Sequence, residues 1–298
     1  MKTKLGINCG FAINRYIEPE VWGKIVGEEL GLHSVQIVAD LINPFWPQEY
    51  IDQLIQRIQE TSKQYDFHVD SIFTSAYTRV NHLMNPDEDA RQFWLNWFKK
   101  LLLIGSRLGA VTGGSHFGIL TFDTLEHEEK RKQVVDAGVR SWQELSFYAE
   151  AIGYEALIFE PMSVPREFAN TIADTKECLA AVNAHCGVPL KVCLDVGHAP
   201  HPDERDPYPW LRALGKHSPI IHLQQTLPGK SMHWPFTEAH NKDGIIKAEK
   251  VLHCLKESGC EETILMFELS HREHWDTDNL VIPDHKASVA YWRQFVKD

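Results

Sequence analysis

The chain has 298 residues, 43% of them hydrophobic and 24% charged, and a formal net charge of −11. It is long enough to bury one large core, and its acidic excess argues against nucleic acid as a main partner, because backbone phosphates reward surplus Lys and Arg. No stretch approaches the roughly 20 consecutive apolar residues that a bilayer crossing needs, so no membrane span is expected.

The opening MKTKLGINCG enters a strand-like run at 4–10 without the long apolar region or cleavage site of a secretory signal. EPEVWGKIVGEEL at 18–30 begins with carboxylates and reads as a helix, and SVQIVAD at 34–40 is the second strand. A helix over 48–64, with Tyr50, Ile51, Leu54, Ile55 and Ile58 on one side, precedes the third strand at 68–75. A long helix at 87–107 leads to GAVTGGS at 109–115, and another at 129–153 leads to YEALIFEP at 154–161. The segment 167–183 reads as helix before LKVCLDV at 190–196. After it, 208–214 leads to SPIIHLQQ at 218–225, 247–259 leads to ETILMFELS at 262–270, and a last helix lies near 286–297.

Eight short β-like runs joined by helix-length crossovers, with no linker and no fixed-period repeat, predict a single α/β domain over 1–298, a (β/α)8 TIM barrel. A doubly wound open sheet is the alternative topology. The six cysteines show no CxxC spacing, and the expected state is reduced thiols in the cytoplasm.

In such a barrel the active residues sit where strands end and the following loops begin. Glu160 in LIFEP, Asp195 in CLDVGH, His222 in IIHLQQ and Glu268 in LMFELS occupy those places. Each has a plainer role open to it: Glu160 paired with Arg166, Asp195 capping the turn near Gly197, His222 hydrogen-bonded in the core, Glu268 paired with Arg272. Three carboxylates ending otherwise buried runs are costly without a cation, and with one imidazole they form a donor set suited to Mn²⁺, Mg²⁺ or Co²⁺. The joint pattern points to one divalent-metal site. His233, His240, His271, His274 and His285 are expected in loops or near helix starts, outside that ligand set.

EP at 160–161, DVGH at 195–198, His222 on its short strand and FE at 267–268 resemble the xylose isomerase-like TIM barrels, in particular the sugar epimerases related to D-tagatose 3-epimerase. The resemblance spans essentially the whole chain. It implies that Glu160, Asp195, His222 and Glu268 bind the metal, that Glu160 and Glu268 also transfer protons, and that His198 contacts substrate oxygens. It further implies Glu167 near a substrate hydroxyl, although EPMSVPRE lengthens the family's usual Glu-to-Glu spacing. HLQQTLPGK lacks the arginine that the family often carries after this histidine.

NCGFAINRY, GGSHFG and EPMSVPREFANT resemble more narrowly the tetrulose-phosphate (erythrulose-phosphate) 3-epimerases of erythritol and related tetritol catabolism. The activity this implies is metal-dependent inversion of the carbon beside the ketone of a tetrulose phosphate by enediolate proton transfer, with Mn²⁺ as first choice and a homodimer or homotetramer as the assembly. A phosphate handle supplies binding energy that a four-carbon sugar lacks. Its expected holders are Arg166, the Gly113–Gly114–Ser115 turn as a nest of N–H groups, Lys230 and Arg272. Phe45, Trp46, Phe117, Trp234, Phe236 and Trp275 are expected to wall the pocket, and 225–244 to cover it as a partial lid. Ketose–aldose isomerisation, or epimerisation of an unphosphorylated sugar, uses the same machinery and is the nearest alternative; a three-metal nuclease or a non-enzymatic binding protein is a more distant one.

Overall fold

The computed structural model describes residues 1–75, 78–162, 164–198 and 203–297. Its strands are β1 (Lys2–Asn8), β2 (Ser34–Val38), β3 (His68–Phe73), β4 (Thr112–His116), β5 (Gly118–Ile119), β6 (Ala156–Glu160), β7 (Glu167–Phe168), β8 (Leu190–Asp195), β9 (Ile220–Leu223) and β10 (Glu262–Phe267). Eight of them close into a barrel in the order β1-β10-β9-β8-β6-β4-β3-β2, and all barrel pairings are parallel. The seam between first and last strands is fully paired, with Leu5 opposite Leu265 and Ile7 opposite Phe267. The expected (β/α)8 barrel is the fold. β5 and β7 stand apart as an antiparallel ribbon, with Gly118 opposite Phe168 and Ile119 opposite Glu167.

The main crossover helices are α1 (Pro19–Lys24), α2 (Gln48–Gln64), α3 (Glu88–Leu108), α4 (Phe122–Glu126) with α5 (Glu128–Ala151), and α6 (Ile172–Asn183). They continue with α7 (Pro207–Leu214), α8 (Glu238–Asp243), α9 (Ala248–Glu257) and α10 (Val281–Trp292). Local chemistry sets several ends. Asp87 accepts a hydrogen bond from the Ala90 N–H at the start of α3, and Gly109 takes φ 95° at its end, a conformation that costs glycine little. On α2, Ile51, Leu54, Ile55 and Ile58 are buried, but Tyr50 is exposed: one residue of helix turns it about 100° away from the stripe of Ile51.

Two boundaries differ from the sequence reading. The first strand ends at Asn8, whose side chain accepts from Gly10 N and turns the chain into a 3₁₀ turn over Cys9–Ala12. The helix expected from 167 begins at Ile172, where Thr171 caps it through the Asp174 N–H; Glu167 and Phe168 pair with β5 instead. A two-residue ribbon is too short to show any periodicity, so the helical pattern that follows extends in the sequence back over Glu167.

The barrel interior and the helix-facing layer are separate apolar clusters, the inner one being Phe73, Ile158, Cys193, Ile220 and Met266. Strand side chains alternate faces, so a residue two positions further on points the same way. Ile158 leads to Glu160, Cys193 to Asp195, Ile220 to His222, and Met266 to Glu268. The four polar strand ends therefore form the layer immediately above the apolar plug.

Gly113, Gly114 and Ser115, expected as a turn, lie inside β4 with Gly113 opposite Leu157 and Gly114 opposite Ile158. The glycines serve close packing: a Cβ on Gly114 would stand 1.7 Å from the Ile158 carbonyl oxygen, which is backbone and cannot move aside without opening the ladder. Gly114→Ala is expected to destabilise the protein by about 3 kcal/mol or more, at the upper end of overpacking costs; urea unfolding of the soluble fraction measures it, and an unchanged midpoint would refute the packing role.

Candidate active site and cation-binding cluster

The ligand atoms of Glu160, Asp195, His222 and Glu268 all lie within 4.8 Å of one another. His222 Nδ1 is 2.9 Å from Glu160 Oε1 and 3.2 Å from Glu268 Oε2, so carboxylates from two non-adjacent strands meet one imidazole. Glu160, Asp195 and His222 are buried, while Glu268 opens toward the cavity. The plainer pairings are not among the described contacts: Arg166 Nη1 donates to the Leu120 carbonyl at 3.1 Å, and Arg272 is exposed. Asp195 does both things open to it. Its Oδ1 accepts from the Gly197 N–H at 2.5 Å, and it belongs to the cluster.

The charges of the cluster test whether a cation fits. Three carboxylates this close repel by on the order of 3 kcal/mol per pair at an effective dielectric near 20, a large fraction of the roughly 5–15 kcal/mol that holds a domain folded. The protein answers by placing positive charge among them. Burial works against protonating His222, but the carboxylates of Glu268 and Glu160 outweigh it and push its pKa well above the ordinary value. Burial likewise opposes protonating His198, yet Asp195 and Glu160 raise it to about 9. Glu160 is buried too, but His222 and His198 hold its carboxyl well below the usual range. A divalent cation supplies the same counter-charge while leaving the imidazoles neutral and able to ligate. The residues present fit a divalent metal.

Distant residues orient the cluster. His222 Nε2 donates to Gln36 Oε1 at 2.7 Å, and Asn8 Nδ2 donates to the same oxygen at 2.7 Å. Gln36 Nε2 in turn donates to Ser71 Oγ at 3.2 Å, which fixes which end of the amide faces His222. With Nε2 carrying the proton, Nδ1 presents its lone pair to the cluster. On the other side, the Gln224 amide nitrogen donates to both oxygens of Asp195, at 2.9 and 3.1 Å. The His233 N–H donates to Gln224 Oε1 at 2.6 Å and holds the amide that way round. Gly197 leaves room for this amide, since a Cβ there would be 2.3 Å from Gln224 Cδ.

His233 is nearer the chemistry than its loop position suggested. With Asp195 and His198 it forms a second group of metal-type donors, and its Nε2 is 3.4 Å from His198 Nε2. The Gln224 amide already sits against this group, 3.3 Å from both His233 Nε2 and Ser231 Oγ.

A cavity of about 570 Å³ opens above the cluster, large enough for a small sugar, and Glu160, Glu268 and His198 line it. Five expected substrate contacts are not brought to its wall: Arg166, Glu167, Ser115, Lys230 and Arg272. Arg166 is turned outward, its guanidinium 4.8 Å from the Phe122 ring centroid. Glu167 is buried beside the cavity and binds Arg79, which does line it. Ser115 is buried in β4, where its Oγ accepts from Thr74, and Thr74 lines the cavity in its place. Lys230 and Arg272 project into solvent from their loops.

The expected aromatic wall is also corrected. Phe117 stacks on Trp142 and Phe236 on Tyr291 in the outer layer, Trp275 is 92% exposed, and none of the six named aromatics lines the cavity. Phe11, Ile13, Phe73, Met162 and Leu269 supply its apolar surface. The 225–244 segment covers one side through Ser231 and His233, tied back by paired backbone bonds between Gln225 and Trp234. His116, at the end of β4 opposite Glu160, and Asn8, at the end of β1, complete the floor. Both are polar strand ends, the same signal that identified the four cluster residues.

The xylose isomerase-like TIM barrel family matches residues 26–293. A D-erythrulose 1-phosphate 3-epimerase of Brucella abortus (strain 2308) is 33% identical over 297 residues, covering 98% of this chain and 96% of that protein. A solved structure from Rhodospirillum rubrum superposes with a TM-score of 0.89 at 23% identity, over 99% of this chain and 100% of that one. A D-psicose 3-epimerase from Clostridium cellulolyticum H10 superposes at 0.74 with 16% identity, over 100% of both chains. At those identities the two structures speak to the shared fold.

Gln36→Met removes the acceptor for His222 Nε2–H at similar volume. It is expected to weaken divalent-metal affinity about 10- to 100-fold, the usual effect of losing a residue that orients a ligating histidine. Chelator competition with Mn²⁺ measures it, and unchanged affinity in a folded variant would remove Gln36 from the site.

Proposed function

The chain belongs to the xylose isomerase-like TIM-barrel family, and from that premise we propose that it is a divalent-metal-dependent 3-epimerase acting on a tetrulose phosphate. The observation that carries the reading is the meeting of Glu160 and Glu268 at His222 Nδ1, from strands separated by β8 and β9, on the wall of one cavity. The relative from Brucella abortus supports the substrate class by its name, D-erythrulose 1-phosphate 3-epimerase.

Glu160, Asp195, His222 and Glu268 would hold the cation, which when bound supplies Lewis acidity for negative charge developing on the ketose oxygens. Mn²⁺ suits a set of three carboxylates and one imidazole better than Mg²⁺, which favours oxygen ligands and retained water. One glutamate removes the proton from the carbon beside the ketone; the other returns a proton to the opposite face, and the carbon inverts. In one direction of turnover one is the base and the other, protonated, is the acid; the reach of each depends on how the cluster is held, Glu268 through the 3.3 Å contact from Asn8 Nδ2 and Glu160 through His222. His198, beside Glu160, and His233 orient substrate oxygens. Phe11 and Phe73 displace water from the carbon framework. The free thiols of the described cysteines support a reducing, cytoplasmic setting.

Glu160→Gln and Glu268→Gln keep side-chain size while removing the basic oxygen. Each is expected to lower kcat by at least about 100-fold, within the usual contribution of a positioned base, and metal content measured in parallel separates lost proton transfer from lost cation. In D₂O the wild-type product is expected to carry deuterium at the inverted carbon. Inversion without solvent deuterium would overturn the two-carboxylate mechanism.

A further inference from the structure

Among the described residues that line the cavity, Arg15 and Arg79 carry the only guanidinium or ammonium groups. We propose that these two arginines form the seat for the phosphate group of the substrate, at the cavity wall beside the carboxylate cluster. The inference rests on the reading of the substrate as a phosphorylated ketose and identifies the residues that select for it.

Topology separates two arcs. The four cluster residues end β6, β8, β9 and β10, which are contiguous in the barrel. Arg15 follows β1 and Arg79 follows β3, and the arc β4-β3-β2-β1 completes the ring. A phosphate dianion is repelled by the carboxylates of the cluster and attracted by the two guanidinium groups, which reach the cavity from the loops after β1 and β3 and are anchored by residues that follow β10 and β6.

Both arginines are held with donors to spare. Arg15 Nε donates to Asp278 Oδ1 at 2.8 Å and Nη2 to the His271 carbonyl at 2.8 Å; its side chain is only 14% exposed. Its Nη1 has no described protein partner. Arg79 Nε is bound by Glu167 Oε1, and Glu167 is almost wholly buried, so the carboxylate acts as a fixed post for the guanidinium. Both terminal nitrogens of Arg79 are without a described partner, leaving the paired edge that binds phosphate oxygens bidentately. This gives Glu167 a role one step from the ligand. It also accounts for the β5–β7 ribbon, which sets Glu167 opposite Ile119 and inside the wall.

The residues expected from sequence to hold phosphate, Arg166, Lys230 and Arg272, do not compete for this role, since none of them lines the cavity.

The test uses the Mn²⁺-loaded enzyme and the variants Arg15→Gln, Arg79→Gln and the pair together; Gln keeps a donor for Asp278 or Glu167. The selectivity, kcat/KM for a tetrulose phosphate over that for the free tetrulose, is expected to fall about 10- to 100-fold in each single variant and further in the double, the range of a lost charge-assisted contact. Calorimetric binding of a tetritol phosphate against the free tetritol, which needs no turnover, is expected to lose the same factor, and Arg79→Lys to recover part of it. A folding or cation-site defect lowers both members of each ratio alike and leaves the ratio unchanged. Unchanged ratios in either single variant, with wild type preferring the phosphorylated ligand, overturn the arginine seat and leave the proposed function standing. A wild type with no such preference overturns the phosphorylated-substrate reading and the seat with it.

Discussion

Three carboxylates held within 4.8 Å of one another and largely out of water are the constraint to which the rest of the molecule answers. Each sits two residues beyond an apolar side chain that plugs the barrel, so strand alternation delivers them to one layer whether or not their charges agree. Left alone they would repel, protonate or part. What keeps them together is counter-charge on His222 and His198, or on a cation in their midst, and a frame of neutral donors. Asn8, Gln36 and Gln224 make up that frame, and each has its own amide orientation fixed by a further hydrogen bond. An amide that could flip would offer an acceptor to a carboxylate, so these outer bonds matter as much as the inner ones.

The barrel closes this cluster at the bottom and leaves specificity to the loops. Parallel strands with glycine at Gly114 allow close approach of β4 to β6, which brings His116 level with Glu160. Above that level the wall comes from segments remote in sequence and unlike in character: an arginine after β1, an arginine after β3, and Ser231 and His233 from the tied 225–244 loop. The cluster layer is thus set by strand ends and their hydrogen-bonded frame, while the cavity mouth is assembled from loop contacts.

The arrangement also explains why the mouth is built with paired charges rather than bare ones. An arginine lining the cavity without an anchor would sample many rotamers, and ordering it on binding would cost part of the contact energy. Asp278 and Glu167 remove much of that freedom in advance while leaving guanidinium edges unfilled. The acidic anchors balance part of the arginines' charge and fix where the remaining donors lie.

The sequence by itself determined the barrel, the register of polar strand ends, and the four residues that the barrel draws together, because strand alternation, crossover length and the cost of a buried carboxylate are all local or composition-level properties. Asn8 and His116 carried the same signal and were legible in principle. Only the tertiary structure decided the rest. Which arginines face the cavity depends on partners far along the chain, Arg15 being tied to a residue 263 positions away and His222 to one 186 away. Glu167 was placed by a two-residue ribbon with no periodicity to read, and Arg166 was turned outward by a neighbouring carbonyl and ring. Loop side chains take their direction from whatever packs against them, and no spacing within the loop encodes that neighbour.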